Sequence, residues 1–164
     1  MADGIAVEGI RLIYNNIETA FNDPENIHAR SQMLMASMMG AVAFQKGLGV
    51  IHSCAHALSG KYDLHHGLAN AMMMSACTRF NQKYCYDKLS YLESVCNLTP
   101  KNGTNFIAWL DSLKHKFDLP RGLAELNVEI TPDLLSLCVN DPCHNSNIVE
   151  VNENDFKSLL IDSL

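Results

Sequence analysis

Residues 49–71 run Gly49-Val50-Ile51-His52-Ser53-Cys54-Ala55-His56-Ala57-Leu58-Ser59-Gly60-Lys61-Tyr62-Asp63-Leu64-His65-His66-Gly67-Leu68-Ala69-Asn70-Ala71, and four of the chain's seven histidines fall inside them. His52 and His56 stand four apart, so on a helix both project from one face. His66 opens the next helix after a turn, which lets it swing back toward His52. Long apolar stretches lie on both sides. From Met33 to Phe44 the chain is apolar or small all round (Leu34, Met35, Ala36, Met38, Met39, Gly40, Ala41, Val42, Ala43), and Gly67 to Gln82 carries Leu68, Met72, Met73, Met74, Ala76 and Phe80. A helix without a polar face is expected inside a bundle, covered by its neighbours.

Working outward, the chain reads as helix after helix. Ile10, Ile13, Ile17 and Phe21 recur at helical spacing with Arg11, Asn15, Asn16 and Glu18 between them, which predicts an amphipathic helix over 4–21. Asp23-Pro24 reads as an N-cap followed by proline at the first helical position, starting a helix over 24–46 that Gly47-Leu48-Gly49 ends. A short helix over 50–58 and a turn through Ser59–Asp63 lead into the helix at 67–82. Further helices are expected near 86–97, 103–117, 120–126, 131–139 and 153–163, with Thr131-Pro132-Asp133 and Asn152-Glu153-Asn154 as starts for the last two. Asn127-Val128-Glu129-Ile130 alternates but is too short to build a sheet. The expected class is all-α, a helical bundle in a single metal-binding domain over 1–164.

Bulk properties narrow the function. At 164 residues the chain is long enough to bury roughly 70% of its unfolded surface. Hydrophobic residues make up 48% and charged ones 18%, which argues against disorder. The net charge of −6 comes with no basic stripe, so neither nucleic acid nor an anionic membrane surface is an expected partner. No apolar run reaches the roughly 18 residues of a membrane-spanning helix. The six cysteines show no two-residue gap of a zinc knuckle or redox motif, and most sit in apolar stretches where a thiol acts as a small hydrophobe. Met1-Ala2-Asp3-Gly4 has neither the basic start nor the apolar run of a signal peptide, so a reduced, cytoplasmic protein is expected.

Imidazole suits iron, zinc, copper and nickel, and a divalent ion offsets the cost of packing several polar rings among Met and Leu. A lone histidine is more often a satisfied or half-exposed residue, and His28, His115 and His144 read that way. Spacing alone does not fix which of the clustered four bind. The arrangement is not the His-Glu-x-x-His of zinc proteases, because Ser53 follows His52.

Gly47-Leu48-Gly49-Val50-Ile51-His52-Ser53-Cys54-Ala55-His56, followed by His66-Gly67-Leu68-Ala69-Asn70-Ala71, resembles the signature of the iron-containing (group III) alcohol dehydrogenases. The likeness extends more loosely along the chain, through Ala29–Met33 with Ala36-Ser37, Asn81, and Asp141-Pro142-Cys143-His144 with Asn147. Two places depart from it. Many members have proline after the second histidine and Leu-Pro after His-Gly-x-x-Asn-Ala, where this chain has Ala57 and Met73-Met74-Ser75.

The resemblance implies the helical C-terminal domain of a dehydroquinate synthase-like or iron-type alcohol dehydrogenase fold. It implies metal ligand roles for His52 and His66, and a catalytic place for His56 beside the metal, toward nicotinamide and substrate. Its implied cofactors are Fe(2+) or Zn(2+) at the histidine site and NAD or NADP in the full-length enzyme. The implied substrates are small alcohols and aldehydes. The family's upstream Asp and further His ligands are not in this sequence, nor is a glycine-rich phosphate loop leading from a strand into a helix. The chain is therefore expected to begin mid-protein, to show no dehydrogenase turnover alone, and to hold metal weakly. Two other readings stand beside this one: a stand-alone helical metal-binding or regulatory module, and an association domain that forms a homodimer. His65 has no assigned role.

Overall fold

The computed structural model describes all 164 residues, and its regular elements are helices throughout: α1 (Ala2–Asn22), α2 (Ile27–Ala43), α3 (Val50–Tyr62), α4 (His66–Gln82), α5 (Tyr86–Val95), α6 (Thr104–Lys116), α7 (Pro132–Asn140) and α8 (Glu153–Ile161). Three short 3-10 turns, Phe44–Lys46, Leu123–Leu126 and Pro142–Ser146, join them. The all-α expectation holds. No single helix is long and apolar enough to cross a membrane.

Residue contacts group the chain into two units. The first consists of Met1–Gly47 and Tyr86–Phe106. In it α1 and α2 pack side by side, closest at Gly9, where a Cβ would stand 3.4 Å from both the Ala36 carbonyl oxygen and the Met39 Cβ. Asp3 pairs with Lys46 and with Lys88, fastening the start of α1 to the 3-10 turn after α2 and to α5. A groove of about 690 Å³ between α1 and α5 is lined by Val7, Ile10, Arg11, Tyr91 and Leu92 among others, and no histidine or cysteine faces it.

Glu93 of α5 is buried, and its carboxylate accepts the backbone N–H groups of Lys101 (2.6 Å), Gly103 (3.0 Å), Asn105 (2.8 Å) and Phe106 (3.2 Å). A helix N-terminus leaves its first N–H groups without partners and carries partial positive charge, so this side chain caps α6 from another helix. Gly103 makes the approach feasible. Its φ of 87° is open to glycine, and a Cβ there would meet Leu89 at 2.6 Å.

The second unit consists of Leu48–Cys85 and Ile107–Leu164. Its core is Val50, Cys54 and Leu58 of α3, Met72, Met73 and Cys77 of α4, Leu134 and Cys138 of α7, and Phe156, Leu159 and Leu160 of α8. Each large apolar side chain here adds roughly 1.5–3 kcal/mol on leaving water. All six cysteines are free, and Cys54, Cys77, Cys96 and Cys138 are buried, as thiols acting as small hydrophobes should be.

Several boundaries differ from those predicted, each for a local reason. Helix α2 starts three residues after Pro24: the Asn26 side chain accepts the Ala29 N–H at 3.0 Å and becomes the cap, while the Asp23 N–H closes α1 on the Thr19 carbonyl. Helix α3 runs through the predicted turn to Tyr62, whose hydroxyl donates to the Glu129 carbonyl and accepts the Glu129 N–H. Asp63, at φ 53°, then stops the helix. The predicted helix over 120–126 shrinks to the 3-10 turn Leu123–Leu126. Thr131 and Asn152 cap α7 and α8 as expected, the latter in a reciprocal capping box with Asp155.

The largest difference concerns α2. It was expected to lie covered on every side, yet only Ala29 and Ala36 are buried, and Leu34 (73% exposed), Met35, Met38 and Val42, with Phe44 of the turn that follows, face outward. Composition records what a helix would bury, whereas cover has to come from elsewhere. Within its unit α2 rests chiefly on α1.

Candidate functional site

Helix α3 carries His52 and His56 one turn apart, and α4 opens with His66. The hairpin between them is made by Asp63 in the left-handed conformation and by His65, whose Nδ1 accepts the Gly67 N–H at 3.2 Å and caps α4. His65 thus has a structural task that its position beside His66 did not disclose. The hairpin brings three rings together, with centroids 5.6 Å apart for His52 and His66, 5.9 Å for His52 and His56, and 5.2 Å for His56 and His66. Burial on this face is uneven: His52 is half-buried, and His56 and His66 are exposed.

A tetrahedral ion about 2.0–2.1 Å from each imidazole nitrogen holds neighbouring rings at roughly this spacing. Burial, followed by the nearby His66 and His56 rings, keeps the His52 pKa below its ordinary value against the opposing pull of Asp141. A neutral imidazole offers the lone pair a metal requires. The donor set and its spacing therefore fit a divalent ion. His66 Nε2 accepts from the Asn70 side-chain nitrogen, 2.9 Å away and one turn along α4, so here that lone pair is engaged by Asn70.

Residues from the far end of the chain complete the site. Asp141 Oδ2 lies 2.8 Å from His56 Nδ1, while its Oδ1 accepts from the Ser53 hydroxyl (2.8 Å) and from the Cys143 N–H (2.8 Å). Ser53 Oγ in turn accepts the His144 N–H at 2.9 Å, tying the 3-10 turn Pro142–Ser146 to α3. Burial raises the Asp141 pKa, but the donors from Cys143, His56 and Ser53 outweigh it and bring the value to about 2. Cys143 Sγ lies 3.9 Å from His56 Nδ1, and burial together with the Asp141 charge pushes this thiol up to about 11, so it stays protonated near neutral pH. His56, Asp141 and Cys143 bring one ligand-capable atom each within 4.8 Å of one another.

The structure brings together all three histidines singled out in the sequence. Asp141, Ser53, Cys143 and Asn70 stood there only as parts of the family likeness, with no role assigned. Asp141-Pro142 carries a visible N-cap signal, but nothing in it points to a histidine 85 positions earlier. His28 and His115 are exposed, and half-buried His144 packs edge-on to Phe156, with its Nδ1 3.5 Å from Ser53 Oγ.

Comparison with known proteins places the whole chain in one family. The sequence profile of the Fe-containing alcohol dehydrogenase family, C-terminal, matches residues 1–164. A 4-hydroxybutyrate dehydrogenase of Cupriavidus necator is 34% identical over 99% of this chain and 45% of its own length. An NAD-dependent methanol dehydrogenase of Bacillus methanolicus is 29% identical over 100% of this chain and 45% of its own. The crystal structure of a 1,3-propanediol oxidoreductase superposes with a TM-score of 0.93 at 28% identity, covering 99% of this chain and 45% of that one. The chain spans about 45% of the length of these relatives.

Proposed function

Because this chain belongs to the iron-containing alcohol dehydrogenase family, as the C-terminal family profile matched over its whole length establishes, we propose that it supplies the metal-holding half of an NAD- or NADP-linked alcohol dehydrogenase. His52 and His66 would hold the divalent ion, iron or zinc, and His56 would stand beside it as the proton-relaying group. The observation that carries this reading is the 5.6 Å approach of the His52 and His66 rings from two different helices.

A bound divalent ion supplies Lewis acidity toward an alcohol oxygen. The chain's own residues do the rest. His52 presents a neutral ring from a half-buried position, and His66 would join it from the start of α4 once its Nε2 gives up the Asn70 amide. His56, exposed on the same face, passes a proton between the substrate hydroxyl and water. Hydride transfer requires nicotinamide positioned over the reacting carbon. No glycine-rich phosphate loop occurs in these 164 residues, so purified chain alone should give no NAD-linked oxidation of small alcohols.

Small alcohols and aldehydes are the proposed substrates, by analogy with relatives whose names specify 4-hydroxybutyrate and methanol. Cytoplasm is the proposed location. The direct test is an anomalous scattering map from crystals of the chain soaked in zinc or ferrous salt. A peak within bonding distance of both His52 and His66 supports the reading, and a peak that touches neither refutes it.

A further inference from the structure

Among the polar groups around the three rings, Asp141 is held at both carboxylate oxygens. Its Oδ1 is committed to Ser53 Oγ and the Cys143 N–H, both at 2.8 Å, and that leaves Oδ2 aimed at His56 Nδ1, also at 2.8 Å. Ser53 is fully buried, and Asp141 caps the 3-10 turn, so backbone and core together set the carboxylate's orientation. We propose that Asp141 is a positioning residue for His56, holding its ring in the Nδ1–H tautomer so that Nε2 alone is free to exchange protons with substrate. This rests on the proton-relay role given to His56 above.

The chemistry follows from what a carboxylate can do. With its pKa brought to about 2, Asp141 is ionised near neutral pH and can only accept, so the proton on the shared line belongs to His56 Nδ1. A charge-assisted hydrogen bond of this kind fixes both the tautomer and the plane of an imidazole. The Cys143 sulfur, 3.9 Å from the same nitrogen, is a long and weak partner beside the carboxylate oxygen at 2.8 Å, so the shared proton is assigned to the line to Asp141. An asparagine at 141 would present one oxygen and one amide group to three donors. With its oxygen on Ser53 and Cys143 it turns the amide toward His56, where only the Nε2–H tautomer can accept, which makes Asp141→Asn a sharp probe.

The test is a nitrogen-15 NMR correlation of the His56 ring in the 164-residue chain, recorded above the ring's titration. Wild type should show the Nδ1–H form in roughly tenfold or greater excess, the bias expected of a hydrogen bond to an ionised partner. Asp141→Asn should lose that excess while the remaining amide spectrum keeps its dispersion. Predominance of the Nε2–H form in wild type would overturn the proposal without any variant. So would an unchanged His56 spectrum in Asp141→Asn.

A zinc titration separates this proposal from the reading it rests on. Asp141→Asn should bind zinc as wild type does, because the carboxylate acts through His56 and is not a ligand. A loss of about tenfold or more, the size expected for a ligand or a ligand's orienting partner, would make this group part of the metal shell and sink the positioning role. A fixed His56 tautomer in a chain whose zinc affinity ignores His52 and His66 would uphold Asp141 and sink the metal reading instead.

Discussion

The side-chain amides of Asn81 and Asn147 pair reciprocally, each nitrogen donating to the other's oxygen, at 3.0 and 2.9 Å. Asn147 also donates to the Val149 carbonyl at 3.0 Å and accepts the Val50 N–H at 3.4 Å. One side chain therefore joins the end of α4, the first residue of α3 and the segment after Pro142–Ser146. The first two carry His66 and His52, and Asp141 caps the turn that precedes the third.

Replacing Asn147 with alanine leaves the Asn81 amide and the Val50 N–H without their partners. A loss of about 1–3 kcal/mol is expected, to be read as a lower urea midpoint with unchanged slope. Asn147→Asp should fare no better, because a carboxylate cannot donate to the Asn81 oxygen. Wild-type stability in both variants would remove the pair from the account.

Glu93 gives a pH-dependent prediction. Burial raises its pKa, but the four N–H donors from Lys101, Gly103, Phe106 and Asn105 outweigh it and leave the value below the usual carboxylate range. A carboxylate whose folded pKa is depressed adds stability above its unfolded value, about 4.3, and that stability fades as pH falls through the folded value. Glu93→Gln should therefore cost about 1–3 kcal/mol at pH 7, with the gap to wild type closing in acid. A gap independent of pH would show that the charge contributes nothing.

The outward face of α2 predicts a contrast between two leucines. Leu34 is 73% exposed, so Leu34→Gln should move stability by no more than about 0.5 kcal/mol. Leu58 is fully buried in the second unit, and Leu58→Ala should cost about 2–5 kcal/mol. Comparable losses from thermal unfolding of the two variants would mean that α2 is covered after all.

These cases show which features the sequence disclosed. Helices α1, α4, α7 and α8 were legible because their signals are local: apolar spacing in α1, an apolar run in α4, and the Thr131 and Asn152 caps. The His52, His56 and His66 cluster was legible because all three lie within fifteen positions. Tertiary partners were not legible. Tyr62 extends α3 because Glu129 receives it, Asn26 displaces Asp23 as the α2 cap by one side-chain bond, and Glu93 caps a helix that begins eleven residues later. Asp141 belongs to the same class. An Asp-Pro pair announces a turn, but which histidine it meets is decided by how α7 packs on α3.

The central claim is that rings fourteen positions apart share one ion, and calorimetric titration of the 164-residue chain with zinc tests it most directly. The account predicts a single weak site, well short of nanomolar, abolished by His52→Ala and equally by His66→Ala. Nanomolar binding, or binding that survives both substitutions, would contradict it.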